Sequence, residues 1–322
     1  MKSRSATLML RGFVRPRSTT MMSATTRRRN WKGKNMAEKM RYNKIIDLLE
    51  RGKPVFSTST VPNGNLDDLT YIADADYDAV VIEMEHEGFG FTTLRTSLQV
   101  LLNRKRIAEK GNLQPDVVPM VRIPPNARER DQWVIKQALD AGVYGLVLPH
   151  LNTVEDAQAA VVAARYPQVA GVQDFAPAGQ RGWGNRIASR YWGLTPTEYY
   201  DAADLWPLDP DGNILLMGII EEAEGVRNIR DILQQVRGIG AIWAGSGDMS
   251  VSMGLRGQAS HPTVQENVLR VLAACKEFGV PCATIATADD MAMRLEQGFR
   301  IIMTPPVRST PGLVEGRRLA AR

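Results

Sequence analysis

Short apolar runs alternate with amphipathic stretches along the chain from residue 40 onward. This alternation is typical of repeated strand–helix–strand units, which build a parallel sheet. Most of the apolar runs carry little charge until their last residues, as expected for strands that are buried on both faces. The pattern predicts eight strands, at residues 54–59, 79–83, 117–123, 145–150, 214–221, 241–245, 282–286 and 301–304.

Helical patterns fill most of the gaps between these strands, and local signals mark several of the helix ends. Gly142, Gly279 and Gly298 stand where a glycine commonly ends a helix, and Thr153 with Asp156 three residues later resembles a capping box. Helices are predicted at about 41–51, 65–74, 91–104, 129–141, 153–165, 195–203, 263–278, 289–297 and 311–322.

The length of the chain suits one large domain. Its 322 residues, 44% of them apolar, are enough for a (β/α)8 barrel of about 250 residues with extensions, and we predict a TIM barrel over residues 40–322. Residues 168–213 form a long connection with one predicted helix, and such segments often act as lids or interfaces. Residues 103–115 are polar and are predicted to be a variable insertion without chemistry on the opposite face.

The positive net charge comes from the start of the chain. Residues 1–37 contain ten Lys and Arg and no Asp or Glu, which leaves 30 basic against 35 acidic residues elsewhere. A basic, acid-free segment rich in Ser and Thr is typical of an organelle transit peptide. The alternatives are translated upstream sequence, with the true start at Met36 or Met40, and a basic arm for an anionic surface. We expect residues 1–38 to be disordered, and the protein to be cytoplasmic, or mitochondrial if they are a transit peptide.

Composition also argues against several classes of function. No stretch approaches the roughly 20 apolar residues of a membrane helix, so no membrane partner is expected. The mildly acidic body gives no indication of a nucleic-acid partner. Cys275 and Cys282 match no metal-ligand or redox spacing, and they are predicted to be reduced, buried thiols.

Polar side chains gather at the ends of the predicted strands. In a (β/α)8 barrel the chemistry takes place at the carboxyl ends of the strands, which meet at one rim. Charges placed only for solubility would be scattered over both faces of the barrel. The residues that end predicted strands two to six, or directly follow them, are Glu83, Glu85, His86, Arg122, His150, Glu221, Glu222 and Asp248.

Several of these side chains suit parts of one reaction. Glu221 and Asp248, with waters and a chelating substrate, would give the oxygen-rich shell that Mg²⁺ prefers, and Mn²⁺ or Co²⁺ could substitute. The glycine-rich turn at 245–248 exposes N–H groups that could hold a substrate carboxylate. Arg122 suits a carboxylate or the charge on an enolate oxygen, and His86 suits a general base.

Structural explanations apply to some of these residues when each is taken alone. A buried Glu–Arg pair is a weak signal by itself, and His150 and His261 are expected to be non-catalytic. Alternation along the strand places Glu83 and Glu85 on one face. At least one of them is therefore expected to contact and orient the reacting side chains, and Glu85 is the candidate. No lysine beyond the basic segment ends a predicted strand, which disfavours a Schiff-base aldolase and favours a metal-assisted carbanion.

The chain resembles the HpcH/HpaI family of metal-dependent 2-oxo-acid aldolases from about residue 43 to residue 304. The resemblance implies a TIM barrel, a divalent metal, and a 2-oxo acid and an aldehyde as substrates. It also implies a homo-oligomer, a hexamer or a dimer-based assembly, in which paired subunits exchange the last helix. The segments that carry it include VVIEMEHEGFGFTTLR (80–95), PMVRIPPN (119–126), QRGWGNRIAS (180–189), GIIEEAEGV (218–226) and WAGSGDMSVSMG (243–254).

Matched by position, the resemblance implies a role for each site residue. His86 would remove a proton from the pyruvate methyl group, and Arg122 would stabilise the enolate. Glu221 and Asp248 would bind the metal, and the backbone of Gly247 and Asp248 would bind the pyruvate carboxylate.

One further role depends on a neighbouring subunit. The resemblance implies that Asp140 raises the basicity of His86. Because Asp140 lies near the end of a predicted helix, on the face opposite the chemistry, the contact would have to come from another subunit. This chain departs from the family at two positions. It has Ile219 where the family usually has Gln, and Glu83 where the family usually has Asp, and these departures bear on the identity of the substrate more than on the metal.

The predicted function is that of a class II aldolase, a carbon–carbon lyase that cleaves or forms 4-hydroxy-2-oxo acids through a pyruvate enolate. The alternatives are oxaloacetate decarboxylation, as in macrophomate synthase, a CoA-thioester lyase, and a catalytically inactive barrel. The acceptor pocket is expected to draw on residues 168–213, where Arg181, Trp183 and Arg186 are candidates to contact an acidic substrate tail.

Overall fold

The structure of the protein is a computed structural model that covers most of the chain. The disorder predicted for residues 1–38 concerns a segment outside the described residues. The described residues are 41–60, 66–88, 90–124, 131–167, 169–170, 175–305 and 308–321.

Nine parallel strands make up the sheet within these residues. They are β1 (Val55–Thr60), β2 (Ala79–Glu83), β3 (Val118–Arg122), β4 (Gly145–Leu148), β5 (Leu205–Trp206), β6 (Ile214–Ile220), β7 (Ala241–Ala244), β8 (Cys282–Ile285) and β9 (Ile301–Met303).

Eight of these strands close into a barrel. Their order is β4-β3-β2-β1-β9-β8-β7-β6, and pairing between β4 and β6 closes the ring. The short β5, which was not predicted, adds to the edge of β6. All residues of β2 and β6 are buried, and apart from Glu83 at the end of β2 both strands are apolar. The predicted TIM barrel is confirmed, and each predicted strand boundary agrees with the structure to within two residues.

Helices surround the barrel and connect its strands. Those at 104–110, 186–192, 223–235 and 246–252 were not among the predicted helices. The thirteen helices of the described residues are α1 (Lys44–Glu50), α2 (Leu66–Asp74), α3 (Phe91–Val100), α4 (Arg104–Lys110), α5 (Gln132–Ala141), α6 (Val154–Ala164), α7 (Arg186–Trp192), α8 (Pro196–Ala202), α9 (Ala223–Gln235), α10 (Ser246–Ser252), α11 (Pro262–Phe278), α12 (Met291–Gln297) and α13 (Pro311–Leu319).

The long connection at 168–213 differs from its prediction. It holds two helices, α7 and α8, and its described part lies at the amino ends of the strands, away from the catalytic rim. Trp192 stacks on Tyr144 with ring centroids 4.0 Å apart, and its Nε1 donates to the carbonyl of Gly142, just before β4. The reason is topological, because a segment between a helix and the next strand must end where that strand begins.

Two predictions from composition can be compared directly with the structure. Both cysteines are free and buried, as predicted. Within the described residues, no helix has the length and apolar character needed to cross a membrane.

The last helix, α13, packs against the barrel of its own chain. Gly316 lies so close to the Phe56 ring that a Cβ atom there would come within 2.3 Å of it. Arg317 forms an ion pair with Asp78, at 3.0 Å, and donates to the carbonyl of Asp76. The exchange of this helix between subunits stays a prediction.

Asp78 joins three elements at the amino-terminal face of the barrel. Its side chain is fully buried, and one oxygen accepts a 3.0 Å hydrogen bond from the backbone N–H of Phe56. The other oxygen lies 2.9 Å from Nζ of Lys44, in α1, and 3.0 Å from Arg317, in α13. Both ends of the described chain are therefore attached to the same buried carboxylate.

We predict that Asp78→Ala lowers the free energy of unfolding by about 3 kcal/mol, because Lys44 and Arg317 lose the buried anion that they share, although Arg317 keeps its ion pair with Asp76. Asp68→Ala is the control, since its ion pair with Arg308 is exposed and such pairs contribute about 1 kcal/mol or less. Urea unfolding followed by circular dichroism measures both. Similar losses in the two variants would contradict the importance of Asp78.

Candidate active site

The carboxyl ends of the strands bring the predicted polar residues to one rim. Glu83 and Arg122 are the last residues of β2 and β3, and the strand register sets them directly opposite each other. His86 lies in the turn after β2, and Glu221 directly follows β6. The parallel register thus produces an ion pair, an imidazole and a carboxylate at the same end of the barrel.

Glu83 organises the turn that carries His86. One carboxylate oxygen of Glu83 lies 2.5 Å from both Nε and a terminal nitrogen of Arg122. The other oxygen accepts hydrogen bonds from the backbone N–H groups of Glu85, at 2.7 Å, and His86, at 3.2 Å. Glu83 therefore fixes both the guanidinium and the backbone beside the imidazole.

Glu85 contacts three cationic or titratable side chains. One of its oxygens lies 3.2 Å from Nε2 of His86 and 3.3 Å from Nε of Arg122. The other lies 3.7 Å from Nε2 of His150. Burial raises the pKa of Glu85, and Arg122, His86 and His150 oppose that rise. The His86 side chain is about half exposed, at 56%, so a substrate can reach it.

Glu221 is the most strongly perturbed carboxyl group at the rim. It is 2% exposed, and one oxygen accepts a 2.8 Å hydrogen bond from the backbone N–H of His150. The pKa of Glu221 is raised to about 8, chiefly by burial; the His150 N–H and Arg122 lower it, and the nearby carboxylates of Asp248 and Glu85 contribute to the rise. A buried group of this kind is stabilised as an anion when a cation lies beside it.

The surroundings of Glu221 fit a divalent cation. A Cβ atom on Gly245 would come within 3.1 Å of the second oxygen of Glu221, so the glycine keeps space open beside that oxygen. No cluster of three His, Cys, Asp or Glu ligands occurs in the described part of the chain. Mg²⁺ is commonly bound through one or two carboxylates, with water and substrate oxygens as the other ligands. Glu221 and Asp248 could therefore hold such an ion.

The predicted glycine-rich turn is the start of a helix. Gly245 is the N-cap of α10, and Gly247 and Asp248 lie in the first turn of that helix. The first N–H groups of a helix have no partner inside it and are available to an anion. The proposed contact with a carboxylate is thus compatible with the local backbone.

Asp140 does not meet His86 within one chain. It lies near the carboxyl end of α5 and forms a 2.9 Å ion pair with Arg181. Arg181, expected to contact the substrate, is buried and stacks on the ring of Tyr166 at 4.1 Å. Within a single chain, Asp140 and Arg181 therefore belong to the amino-terminal face, and the expected substrate contact of Arg181 has no support there.

The sequence analysis placed a second imidazole at the rim but did not predict its carboxylate partner. His150, expected to be non-catalytic, directs Nδ1 to a carboxylate oxygen of Glu222 at 2.6 Å. Asn152 donates to the other oxygen of Glu222 at 2.7 Å. The available signal was the position of His150 and Glu222 just beyond neighbouring strands β4 and β6, whose pairing brings them together.

Comparisons with known proteins agree with this architecture. A model of the HpcH/HpaI aldolase/citrate lyase family matches residues 61–304. The chain is 32% identical over 229 residues to 5-keto-4-deoxy-D-glucarate aldolase from Salmonella arizonae. The aligned region covers 71% of this chain and 77% of that protein.

Two solved structures extend the comparison. A HpcH/HpaI aldolase/citrate lyase family protein from Burkholderia cenocepacia J2315 matches with a TM-score of 0.64 and 26% identity, over 84% of this chain and 93% of that chain. Macrophomate synthase matches with a TM-score of 0.60 and 25% identity, over 87% and 88% of the two chains.

The raised pKa of Glu221 predicts how stability depends on pH. The folded protein holds this proton more tightly than the unfolded chain, whose carboxyl pKa is about 4.3. The stability that depends on this proton is complete at low pH and is lost as pH rises from about 4.3 through the folded pKa of about 8.

We therefore predict that Glu221→Gln, measured in EDTA, is more stable than the wild type at pH 8.5 by a few kcal/mol, and that the difference shrinks toward pH 5. Thermal unfolding measures it, and Glu224→Gln, an exposed site on α9, is the control. A difference that does not change with pH would show that Glu221 is not held in its neutral form.

Proposed function

Because the chain belongs to the HpcH/HpaI aldolase/citrate lyase family, we propose that it is a metal-dependent aldolase acting on 4-hydroxy-2-oxo acids through the enolate of pyruvate. The observation that carries the proposal is the convergence of Arg122, His86 and the buried Glu221 at one rim. Similarity to an aldolase over most of the chain supports the same reaction class. The substrates are small molecules, a 2-oxo acid and an aldehyde.

In this proposal Glu221 and Asp248 hold the divalent cation. A Mg²⁺, Mn²⁺ or Co²⁺ ion there would supply Lewis-acid polarisation of a bound 2-oxo acid, which makes its methyl protons more acidic. The open space beside Gly245 and the raised pKa of Glu221 support this assignment.

His86 is the proposed general base. Its imidazole is accessible, and Glu85 contacts Nε2 at 3.2 Å. The nearby carboxylate would stabilise the positive charge that the ring gains when it takes up a methyl proton.

Arg122 is the proposed partner of the enolate oxygen. Its contacts with Glu83 and Glu85 hold the guanidinium in one orientation before substrate arrives. Preorganised charge of this kind stabilises a developing anion without the cost of reorientation. The N–H groups of Gly247 and Asp248 are proposed to hold the carboxylate end of the same substrate.

The role of Asp140 requires an assembly. Its ion pair with Arg181 keeps it away from His86 of the same chain, so support for His86 would have to come from Asp140 of a neighbouring subunit. We therefore include a homo-oligomer, a hexamer or a dimer-based assembly, in the proposal. Exchange of α13 between paired subunits belongs to the same proposal.

A second reaction uses the same enolate. Loss of CO₂ from oxaloacetate would also leave the enolate of pyruvate, and the likeness to macrophomate synthase favours testing it. Arg122 and the carboxylate pair would have the same roles, whereas His86 would not be needed to remove a methyl proton. Consumption of oxaloacetate by a His86 variant that has lost exchange of pyruvate protons would favour this reaction.

The first prediction of the proposal is that the protein exchanges the methyl protons of pyruvate in D₂O only when Mg²⁺, Mn²⁺ or Co²⁺ is present. Proton NMR follows the loss of the methyl signal. His86→Asn should reduce the rate at least about a hundredfold, because an amide cannot act as a base at neutral pH. His261→Asn is the control, since His261 accepts from the N–H of Thr263 as the N-cap of α11, and asparagine can keep that cap. Equal rates in the two variants would remove His86 from the proposal.

The second prediction concerns the metal. Asp248→Asn should raise the concentration of Mg²⁺ that gives half of the maximal exchange rate by about tenfold or more, because the site loses one of its two anionic ligands. Glu224→Gln, on the exposed face of α9, should leave that concentration unchanged. The same Mg²⁺ dependence in Asp248→Asn and wild type would exclude Asp248 as a ligand.

A further inference from the structure

Asp140 occupies a position that its own helix does not explain. It lies in the last turn of α5, where the helix dipole disfavours a negative charge. It also lies on the amino-terminal face, away from the catalytic rim of its own chain. Its side chain is nevertheless 25% exposed, and its Oδ1 accepts a 2.9 Å hydrogen bond from Nη2 of Arg181. A carboxylate held at the surface in this way needs an explanation outside α5.

Gly184 keeps the second oxygen of Asp140 open. A Cβ atom on Gly184 would come within 2.5 Å of Oδ2, so any other residue would cover or displace that oxygen. The φ of Gly184 is not in the left-handed region, so the requirement for glycine is steric. Among the described residues, no side chain or N–H group donates to Oδ2. Asp140 therefore presents one bound oxygen and one available oxygen.

Arg181 is held in one orientation beside Asp140. Its side chain is fully buried, and the guanidinium lies 4.1 Å from the centre of the Tyr166 ring. Nη2 also donates to the hydroxyl of Tyr199 at 3.5 Å, and that hydroxyl donates to the carbonyl of Leu139 at 3.4 Å. These contacts fix the plane of the guanidinium and its distance from the end of α5.

Stability alone does not favour the burial of Arg181. Its Nε and Nη1 atoms are buried and have no hydrogen-bond partner among the described residues. Buried donors without acceptors lower stability, and apolar residues of similar volume often stabilise a protein as well as a buried ion pair does. Unsatisfied groups of this kind call for another explanation. The benefit that remains is a carboxylate held in one orientation.

The surface beside Gly184 fits a second copy of this chain. Its exposed side chains combine apolar area with two cations, and they are Trp183, Ile187, Arg186 and Arg190. Trp183 is 88% exposed, and exposed apolar area of this kind often marks an interaction site. The turn that carries His86 is acidic, with Glu87 exposed beside the imidazole. The opposite charges of the two surfaces favour their contact.

We propose that Arg181 is a positioning residue for catalysis, which holds Asp140 by Oδ1 so that Oδ2 is presented to His86 of a neighbouring subunit. The inference rests on the proposed function, in which Asp140 of one subunit supports His86 of the next. It replaces the substrate contact expected for Arg181 with a role in the neighbouring site, and it assigns Gly184 the role of keeping that site open to Oδ2.

Arg181→Gln should lower the maximal rate of pyruvate exchange in D₂O about tenfold, because the base loses an oriented carboxylate. The pyruvate concentration that gives half of the maximal rate should stay the same, since Arg181 contacts no substrate in this proposal. Arg181→Lys keeps the charge but not the planar fork, and it should recover part of the rate. Arg230→Gln, which removes an exposed ion pair with Glu277, is the control and should leave both quantities unchanged.

Mixed assemblies of two impaired variants test whether the role crosses a subunit boundary. Subunits with His86→Asn and subunits with Arg181→Gln are co-expressed with different affinity tags, and assemblies that contain both are purified. In these assemblies an intact His86 can meet an Asp140 that is held by an intact Arg181. The exchange rate should therefore be several times the mean of the two parent assemblies. Arg181→Gln mixed with Asp140→Asn should show no such recovery, because every subunit then lacks one member of the same pair.

Gly184→Ala gives an independent variant that keeps Arg181. Its Cβ atom would displace Oδ2, so the maximal rate should fall, and mixing with His86→Asn should restore it. Gly182→Ala is the matched control two residues earlier, since a Cβ atom there meets nothing within 4 Å. This pair keeps the inference testable if thermal unfolding shows that Arg181→Gln does not fold.

The outcomes separate the inference from the proposed function. Absence of exchange in the wild type, or no recovery when His86→Asn is mixed with Asp140→Asn, would contradict the proposed function. Recovery in that mixture without recovery in the mixture of His86→Asn with Arg181→Gln or Gly184→Ala would overturn the inference alone. A wild-type rate in Arg181→Gln would overturn it as well, and so would a rise in the half-maximal pyruvate concentration, which would indicate a direct contact with substrate.

Discussion

The ion pair between Glu83 and Arg122 connects the fold to the site. It exists because β2 and β3 are parallel neighbours whose register ends both strands at the same level. A single carboxylate then holds a guanidinium with one oxygen and the backbone of the following turn with the other. The positions of His86 and Arg122 relative to each other therefore follow from strand pairing and from the hydrogen bonds of Glu83.

Around this ion pair, the rim concentrates carboxyl groups in a space that burial has largely removed from water. Burial raises the pKa of Glu85 and of Glu221, and repulsion from neighbouring carboxylates adds to the rise at both. Arg122 compensates part of this cost. The arrangement is thus adapted to a positive partner, and in the proposed function a divalent ion takes that place beside Glu221 and Asp248.

Much of this arrangement could be predicted from the sequence. An apolar run predicts a buried strand, and a polar residue at the carboxyl end of that run predicts a side chain at the catalytic rim. Glu221 and Arg122 are of this kind. The two-residue β5 and helix α7 were not predictable in this way, since short elements carry little periodicity. The described part of 168–213 does not form a lid over the rim of its own chain, for a reason of connectivity that the alternation of helices and strands already contained. Its expected role as an interface segment stays a prediction.

Contacts between side chains were the hardest feature to predict. The interpretation of His150 as non-catalytic relied on the residue alone, whereas its orientation depends on Glu222, 72 positions away in the chain, and on a left-handed backbone. Asp140 shows the opposite case. Its position on the far face followed from the helix in which it lies, but its pairing with Arg181 depended on how the long connection folds back.

The Asp78 cluster has a consequence for synthesis of the chain. Residue 78 emerges from the ribosome long before Arg317, so its carboxylate must wait for more than two hundred further residues before α13 can neutralise it. Lys44 and the Phe56 N–H are synthesised earlier and can contact it before then. A partly synthesised barrel therefore lacks one of the cations that compensate the Asp78 charge at its amino-terminal face. The contribution of this ion pair to the free energy of unfolding is gained only when α13 is added.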